Sequence, residues 1–228
     1  VPLFEAYGMT ENCAYATSNS PENIKIGTVG IPAHGVELKL ADDGEILIRS
    51  GGVFKGYFKD DQATSETIDK DGWLHTGDVG IYEGDFVKII DRKRDIIITS
   101  GGKNVSPSEI ENKIKVSPFI KEAIVIGDRR KFLSVLIGIE FDTVSNWALR
   151  KNIPHTTYRD LSEKQEVKDL VWKEISKANE LTSSLEVREF RMIPKELDHE
   201  EGELTATQKV KRNVLIDQFS DLIEEMYS

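Results

Sequence analysis

The sequence predicts an α+β protein in which a β-rich portion is followed by a smaller α+β domain with a short central sheet. Short runs of alternating apolar residues, separated by turn residues, fill the chain up to about residue 90, whereas helix caps, amphipathic stripes and compact β-branched runs fill the rest. The 228 residues, 39% of them hydrophobic and 31% charged, are enough for one large or two modest domains. We therefore predict two domains, residues 1–91 and residues 92–228.

Two β-hairpins are predicted in the first domain. Apolar residues alternate over 36–40 and again over 46–48, on either side of an Asp-Asp-Gly turn at 42–44. A second hairpin has the Glu-Gly-Asp sequence at 83–85 as its turn and 86–90 as its returning strand. The first domain is therefore expected to be mainly β.

The second domain begins with a clear helix signal. Ser106 is placed as an N-cap, and Pro107 takes the first helical position, where its missing N–H costs nothing. Glu109 completes a capping box. This helix is expected to end near Ser117 and Pro118, because proline does not continue a helix.

Two strands and two further helices complete the second domain. The β-branched runs 123–126 and 135–139 predict a small buried sheet. Ser162 and Gln165 form a second capping box, which predicts the start of a helix. The apolar stripes of this helix and of a last helix are expected to be core: Val167, Leu170, Val171, Ile175, Ala178, Leu215, Phe219, Leu222, Ile223 and Met226.

Composition argues against several classes of function. The formal net charge of -10 argues against a nucleic-acid-binding protein, since such proteins present clustered Lys and Arg. Cys13 is the only cysteine, so the chain has no intrachain disulfide and no cysteine-based metal site, which fits a reducing compartment. No run of about 18 apolar residues is present. We expect a cytoplasmic protein, and the sequence leaves peripheral membrane association and oligomeric state open.

Residues 71–78 and the charged residues that follow suggest a nucleotide site. In Thr76-Gly77-Asp78 the glycine can turn the backbone so that both oxygens of the Asp78 carboxylate accept from the two hydroxyls of a ribose. Arg92, just beyond the predicted strand, adds a cation that does not lose its charge. The alternative interpretations are an aspartate that caps a turn and a solvated charge run.

Two glycine-containing segments are less specific. Residues 7–11 combine an aromatic ring, a hydroxyl and a carboxylate, which suits an adenine face, a phosphate oxygen and a magnesium ion but also a structural turn. Residues 101–103, Gly-Gly-Lys, are not a Walker phosphate loop, because the spacer between the glycines is absent and Asn104 follows the lysine. They also suit a simple β-turn.

Taken in order, and together with residues 207–212, these segments resemble the signature of the acyl-CoA synthetases within the adenylate-forming enzymes. The resemblance covers nearly the whole chain and looks nearest to the long-chain fatty-acid–CoA ligases. It implies that residues 1–91 are the distorted β-barrel end of a large AMP-binding domain and that residues 92–228 are a mobile C-terminal domain. The Ser/Thr/Gly-rich loop that cradles ATP phosphates in this family is missing, so we expect the C-terminal portion of a longer enzyme, inactive alone.

The resemblance also implies roles for individual residues. The expected roles are nucleotide contacts for Tyr7, Thr10, Asp78 and Arg92, a Mg²⁺ ligand for Glu11, a hinge for Asp91, a pantetheine tunnel for Gly101 and Gly102, and the catalytic cation for Lys209. The implied cofactors and substrates are ATP, Mg²⁺, coenzyme A and a fatty acid.

Lys209 carries the sharpest expectation. Formation of an acyl-adenylate brings a carboxylate against the α-phosphate, and a bridging cation offsets about 4 kcal/mol of repulsion at about 4 Å in a medium of effective dielectric about 20. In the family this lysine lies three residues before an arginine, here Arg212. Many relatives have glycine just before the lysine, where this chain has Gln208, and Lys211 lies close by.

The implied reaction forms AMP in two steps, adenylation of a fatty acid and transfer of the acyl group to coenzyme A. Two alternatives are left open. The first is an adenylation enzyme that loads a phosphopantetheinyl carrier protein, and the second is a noncatalytic module that binds a nucleotide or a partner. A coenzyme A acceptance assay run beside a carrier-protein assay separates the first alternative from the ligase.

Overall fold

The fold was obtained as a computed structural model, which describes residues 3–181 and 186–228. Its contacts divide the chain into two compact units, Val1–Asp95 and Ile96–Ser228. Both units combine helices with sheets, and the predicted α+β class is confirmed. Within the described ranges, no helix has the length and apolarity that a membrane span requires.

The first unit is built on two antiparallel sheets. One sheet has the order β1-β2-β3 and the other the order β4-β5-β6-β7. The elements are β1 Ala6–Tyr7, β2 Thr17–Ser18, β3 Ile31–Pro32, β4 Val36–Leu40, β5 Glu45–Ser50, α1 Asp61–Thr67, β6 Leu74–Glu83 and β7 Phe86–Arg92.

Both predicted hairpins are confirmed. Strands β4 and β5 pair antiparallel with Leu38 opposite Ile48, and strands β6 and β7 pair with Glu83 opposite Phe86. Helix α1 lies outside the sequence prediction. Its N-cap Asp60 accepts a hydrogen bond from the Ala63 N–H, but none of its residues is buried, so no apolar stripe marks it.

The two sheets of the first unit join through strand β7. The Val29 N–H donates to the Val87 carbonyl and the Val87 N–H donates to the Gly30 carbonyl, each over 2.8 Å. Segment 29–30 thus continues the sheet beyond β7 and leads directly into β3, which curls the unit around a small core. That core consists of Ala16, Ile46, Ile48, Leu74 and Val87.

The second unit is centred on the sheet β10-β11-β12. Strand β11 runs antiparallel to β10 and parallel to β12, and all of its residues are buried. The elements are β8 Ile97–Ile98, β9 Asn104–Val105, α2 Pro107–Ile114, β10 Ile120–Ile126, β11 Leu133–Ile139, α3 Phe141–Arg150, α4 Tyr158–Glu163, α5 Gln165–Glu180, β12 Val187–Met192, α6 Arg212–Gln218 and α7 Ser220–Glu225.

Helix α2 begins as predicted. The Ser106 hydroxyl accepts a hydrogen bond from the Glu109 N–H over 3.2 Å, and Pro107 occupies the first turn. The apolar side of the helix, carried by Ile110 and Ile114, is buried against the central sheet. The two strands predicted from β-branched runs are β10 and β11.

Three helix boundaries differ from the prediction. Helix α2 ends at Ile114, short of the expected Ser117 and Pro118. Ser162 does not cap α5, because it lies buried inside α4, where its hydroxyl donates to the Arg159 carbonyl; Thr157 caps α4 and Lys164 precedes α5. The predicted last helix is broken at Phe219 into α6 and α7. Burial of the predicted stripe residues Leu215, Phe219, Ile223 and Met226 is retained across the break.

A paired glycine substitution tests the curled arrangement of the first unit. Gly30 and Gly27 both have φ above +80°, but a Cβ on Gly30 would lie 1.9 Å from the Ser18 carbonyl carbon, whereas a Cβ on Gly27 meets nothing within 4 Å. Gly30→Ala should therefore lower the free energy of unfolding by about 1–3 kcal/mol more than Gly27→Ala, because only the former adds a steric clash. Urea unfolding measures the difference. Equal losses in the two variants would contradict this packing.

Candidate functional site

Asp78 and Arg92 face each other across the β6–β7 pair. The two residues are direct partners in the sheet register, and the Arg92 Nε lies 3.6 Å from Asp78 Oδ1. Gly77, which precedes Asp78, has φ +71°, in the left-handed region that glycine adopts readily. The side chain of Asp78 is 15% exposed and that of Arg92 is 60% exposed. A carboxylate with limited solvent access therefore lies beside a permanent cation.

Tyr7 completes this cluster. Its hydroxyl donates to Asp78 Oδ2 over 2.6 Å. Burial and the hydrogen bond to Asp78 raise the pKa of Tyr7 far above its usual value, so the hydroxyl stays protonated and remains a donor. Each carboxylate oxygen keeps a second lone pair, so the carboxylate retains capacity for two further donors such as ribose hydroxyls.

The turn at Thr10–Asn12 presents two more of the predicted residues. Thr10 is exposed, and Glu11 is half-buried with its Oε1 accepting a hydrogen bond from the Tyr57 hydroxyl over 2.8 Å. Gly8 permits the turn, because a Cβ there would lie 2.3 Å from the Ala14 carbonyl carbon. This close approach explains the glycine in structural terms, without a ligand.

Magnesium is compatible with this turn. Within residues 3–181 and 186–228, no group of three or more His, Cys, Asp or Glu side chains is arranged as a metal site. Glu11 is thus a lone carboxylate on a partly exposed turn, and Mg²⁺ is typically held by one or two carboxylates together with water and substrate phosphates. The donor set fits an ion that arrives with a nucleotide.

Glu45 is an organising residue that the sequence interpretation missed. Its carboxylate is about 5% exposed and accepts from the Gly77 N–H at 3.0 Å and from the Lys93 ammonium at 2.9 Å, with His75 Nδ1 at 3.2 Å. Gly77 precedes Asp78 and Lys93 follows Arg92. One buried carboxylate therefore links the two chain segments that carry Asp78 and Arg92.

The ion pair with Lys93 controls the protonation of Glu45. Burial acts to raise the pKa of Glu45, but hydrogen bonds from Lys93, His75 and the Gly77 N–H outweigh it and lower the pKa below its ordinary value. Lys93 also pairs with Asp43 at 2.6 Å. The carboxylate is therefore charged in the folded protein near neutral pH.

Asp91 lies inside strand β7. It is 7% exposed, and its Oδ1 accepts a hydrogen bond from the Arg92 N–H over 2.8 Å. The register shifts by one residue between Asp91 and Ile89, which marks a β-bulge beside it. A short 3-10 turn, Lys93–Asp95, follows the strand and ends where the first unit ends.

The twin glycines form the turn between β8 and β9 in the second unit. Gly102 has φ +76°, and its N–H donates to the Thr99 carbonyl over 2.9 Å. Both glycines are exposed, and a Cβ on Gly102 would meet nothing within 4 Å. The turn therefore leaves open space beside its backbone, which suits a thin ligand as well as a simple turn.

Lys209 lies near the tip of a small hairpin in the second unit. Leu204 and Val210 form its bridge, the Thr205 N–H donates to the Lys209 carbonyl over 2.8 Å, and the Lys209 N–H donates to the Thr205 hydroxyl over 3.0 Å. Gln208 has φ +60°, a conformation that explains why glycine suits this position. The Lys209 side chain is exposed, and no carboxylate of the described residues pairs with it.

Two family models match this chain. The family model for the AMP-binding enzyme C-terminal domain matches residues 94–228, and the model for the AMP-binding enzyme matches residues 1–58. The chain belongs to the AMP-binding enzymes. The resemblance drawn from the order of the motifs is thereby confirmed at the level of the family.

Several AMP-binding enzymes are similar over nearly the whole chain. The long-chain-fatty-acid–CoA ligase FadD15 of Mycobacterium tuberculosis is 38% identical over 99% of this chain, which covers 38% of that protein. The human long-chain-fatty-acid–CoA ligase 6 is 35% identical over 99% of this chain, which covers 35% of its length. The chain thus spans less than two-fifths of the length of these relatives.

Solved structures of AMP-binding enzymes share the fold. The O-succinylbenzoate coenzyme A synthetase of Bacillus subtilis, solved in complex with AMP, is 26% identical with a TM-score of 0.66, and the match covers 94% of this chain and 40% of that one. The adenylation domain of a carboxylic acid reductase from Segniliparus rugosus is 21% identical with a TM-score of 0.75, over 100% of this chain and 35% of that one, which supports the fold alone.

The lowered pKa of Glu45 predicts a pH-dependent stability. Because the pKa is lower in the folded state, the stabilisation is present above the ordinary glutamate pKa and is lost as the pH falls through the folded-state pKa. Glu45→Gln should lower the free energy of unfolding by about 1–3 kcal/mol near pH 7, since charged donors lose a charged acceptor. It should also flatten the dependence of stability on pH in the acid range.

Urea unfolding from about pH 7 to about pH 3 measures both effects. Glu22→Gln is the matched control, because Glu22 is exposed in the same unit. A Glu45→Gln protein whose stability falls with acid as steeply as that of the wild type would show that Glu45 is not the titrating group.

Proposed function

We propose that this chain is the C-terminal portion of an ATP-dependent long-chain fatty acid–CoA ligase. The observation that carries the proposal is the contact of Tyr7, Asp78 and Arg92 in a chain that belongs to the AMP-binding enzymes. Support for the substrate class comes from similar proteins that are named long-chain-fatty-acid–CoA ligases. The chemistry then divides into adenylation and thioester formation.

In the adenylation step, a fatty-acid carboxylate oxygen attacks the α-phosphorus of ATP, and the bond to the bridging oxygen of pyrophosphate breaks. Two anions approach each other in this step, and the ammonium of Lys209 is the cation that we assign to them. It is an exposed cation that no described carboxylate neutralises, so it can offset their repulsion.

The first unit holds the nucleotide in this proposal. Asp78 accepts from the ribose hydroxyls, with Tyr7 and Arg92 fixing the position of its carboxylate. Thr10 contacts a phosphate oxygen, and Glu11 is the residue that would hold magnesium. When bound, Mg²⁺ neutralises part of the charge on the phosphates.

In the thioester step, the sulfur of coenzyme A attacks the acyl carbonyl carbon, and AMP leaves with the electron pair of the broken C–O bond. We assign the open turn of Gly101 and Gly102 to the passage of the pantetheine arm, since neither residue has a side chain that would obstruct it. Lys209 acts in the first step and the Gly101–Gly102 turn acts in the second, so the second unit has to rotate between them. We assign the pivot for this rotation to Asp91 and the short turn Lys93–Asp95.

Lys209→Ala tests the assignment of the catalytic cation. In the complete enzyme it should reduce acyl-adenylate formation by about 10²-fold or more, while thioester formation from supplied acyl-AMP is largely spared. Pyrophosphate release and acyl-CoA formation measure the two steps separately. Lys211→Ala is the matched control, because Lys211 is another exposed lysine two positions away. Equal losses in both steps, or a larger adenylation defect in the control, would remove Lys209 from the mechanism.

Arg94→Pro tests the pivot. Asp91 itself lies in a strand, where proline would break the sheet, whereas Arg94 lies in the adjacent turn with its side chain 76% exposed. Fixing φ in this turn should slow thioester formation from supplied acyl-AMP by about 10-fold and affect adenylation less. Arg94→Ala, which removes the side chain without fixing φ, is the control. Identical kinetics for the two variants would argue against a pivot here.

A further inference from the structure

A fully buried carboxylate lies at the base of the hairpin that carries Lys209. The side chain of Glu203 has no exposed surface. Its Oε1 lies 2.7 Å from the Lys195 ammonium, and its Oε2 accepts a hydrogen bond from the Asp198 N–H over 2.8 Å. Lys195 also contacts Glu201, so the ammonium bridges two carboxylates. A buried carboxylate is stable only with such partners.

The backbone of Glu203 closes the hairpin. The Lys211 N–H donates to the Glu203 carbonyl over 2.8 Å, and the Glu203 N–H donates to the Asp198 carbonyl over 3.2 Å. The hairpin therefore begins at Glu203 and ends at Lys211. The buried side chain of Glu203 holds this closing residue in place. Lys209 lies within two residues of that closure.

The tip of the hairpin is held by hydrogen bonds within the hairpin: besides the two between Thr205 and Lys209, the Gln208 N–H donates to the Thr205 carbonyl over 2.9 Å. Residues 206–209 are exposed, and the hydroxyls of Thr205 and Thr207 make a local contact at 3.0 Å. Leu204, at the base, is buried. The base, where Leu204 and Glu203 are buried, joins this hairpin to the rest of the unit and so contributes to the placement of Lys209.

We propose that Glu203, held by Lys195, is a positioning residue for the adenylation step. The ion pair of the buried Glu203 carboxylate with the half-buried Lys195 fixes the base of the hairpin and so the placement of the Lys209 ammonium relative to the reacting anions. This inference rests on the proposed function of Lys209. It assigns to Glu203 no contact with substrate.

The expected effect is selective for one half-reaction. Displacement of a catalytic group by about 1 Å can reduce a rate by about 10²-fold. Loss of the ion pair should therefore slow adenylation, which uses Lys209, and spare thioester formation, which does not. A purely structural role would lower both rates together through loss of folded enzyme.

The experiment measures both half-reactions in the complete enzyme for Glu203→Gln. Glutamine keeps the shape and an acceptor for the Asp198 N–H but removes the charge. Glu200→Gln is the matched control, because Glu200 is an exposed glutamate in the same loop. Lys195→Gln removes the positive partner of the same ion pair. It is measured instead of Glu203→Gln if the Glu203→Gln protein does not fold. Lys209→Ala is assayed in parallel.

The predicted result is an adenylation rate lowered by about 10-fold to about 100-fold in Glu203→Gln, with thioester formation and the control variant close to the wild type. The positioning role of Glu203 is overturned if Glu203→Gln slows both half-reactions equally. It is also overturned if Glu203→Gln keeps the wild-type adenylation rate while Lys209→Ala loses adenylation. If Lys209→Ala itself retains adenylation, the proposed function of Lys209 fails, and this inference fails with it.

Discussion

The contact between Asp78 and Arg92 is the interaction on which the proposed nucleotide site depends. Both residues owe their positions to one register, in which β6 and β7 pair these two positions directly. A slip of one residue would send one of the two side chains to the opposite face of the sheet. Tyr7 arrives from a different sheet and donates to the same carboxylate. The site is therefore a consequence of how the first unit curls and pairs its strands.

Buried carboxylates hold the segments that carry the proposed site residues, by the same means in both units. Glu45 accepts from a backbone N–H and from Lys93, and Glu203 accepts from a backbone N–H and pairs with Lys195. In each case burial acts to raise the pKa of the carboxylate, and the lysine ammonium and the backbone N–H lower it, so that the charged form is favoured. Removal of one partner from such a pair leaves a buried charge uncompensated, which is strongly destabilising.

The sequence predicted the elements whose signals are local. Alternating residues around a glycine turn predicted the two hairpins, and the cap at Ser106 predicted α2, because these patterns act within a few residues. The capping box at Ser162 was wrong, since burial of that residue inside α4 outweighed its capping preference. Motif order indicated the candidate site, but Glu45 escaped notice because its partner Gly77 is 32 residues away. Such contacts become visible only in the folded chain.

The proposed binding of the ribose by Asp78 can be tested directly by nucleotide discrimination. Binding of ATP and of 2′,3′-dideoxy-ATP to the complete enzyme can be compared for the wild type and for Asp78→Ala, and the ratio within each protein cancels any general loss of stability. If Asp78 accepts from the ribose hydroxyls, the wild type should prefer ATP by at least about 10-fold, since hydrogen bonds to a charged acceptor contribute about 1.5 kcal/mol or more each. That preference should disappear in Asp78→Ala. An unchanged preference in the variant would contradict the assignment of the ribose to this carboxylate.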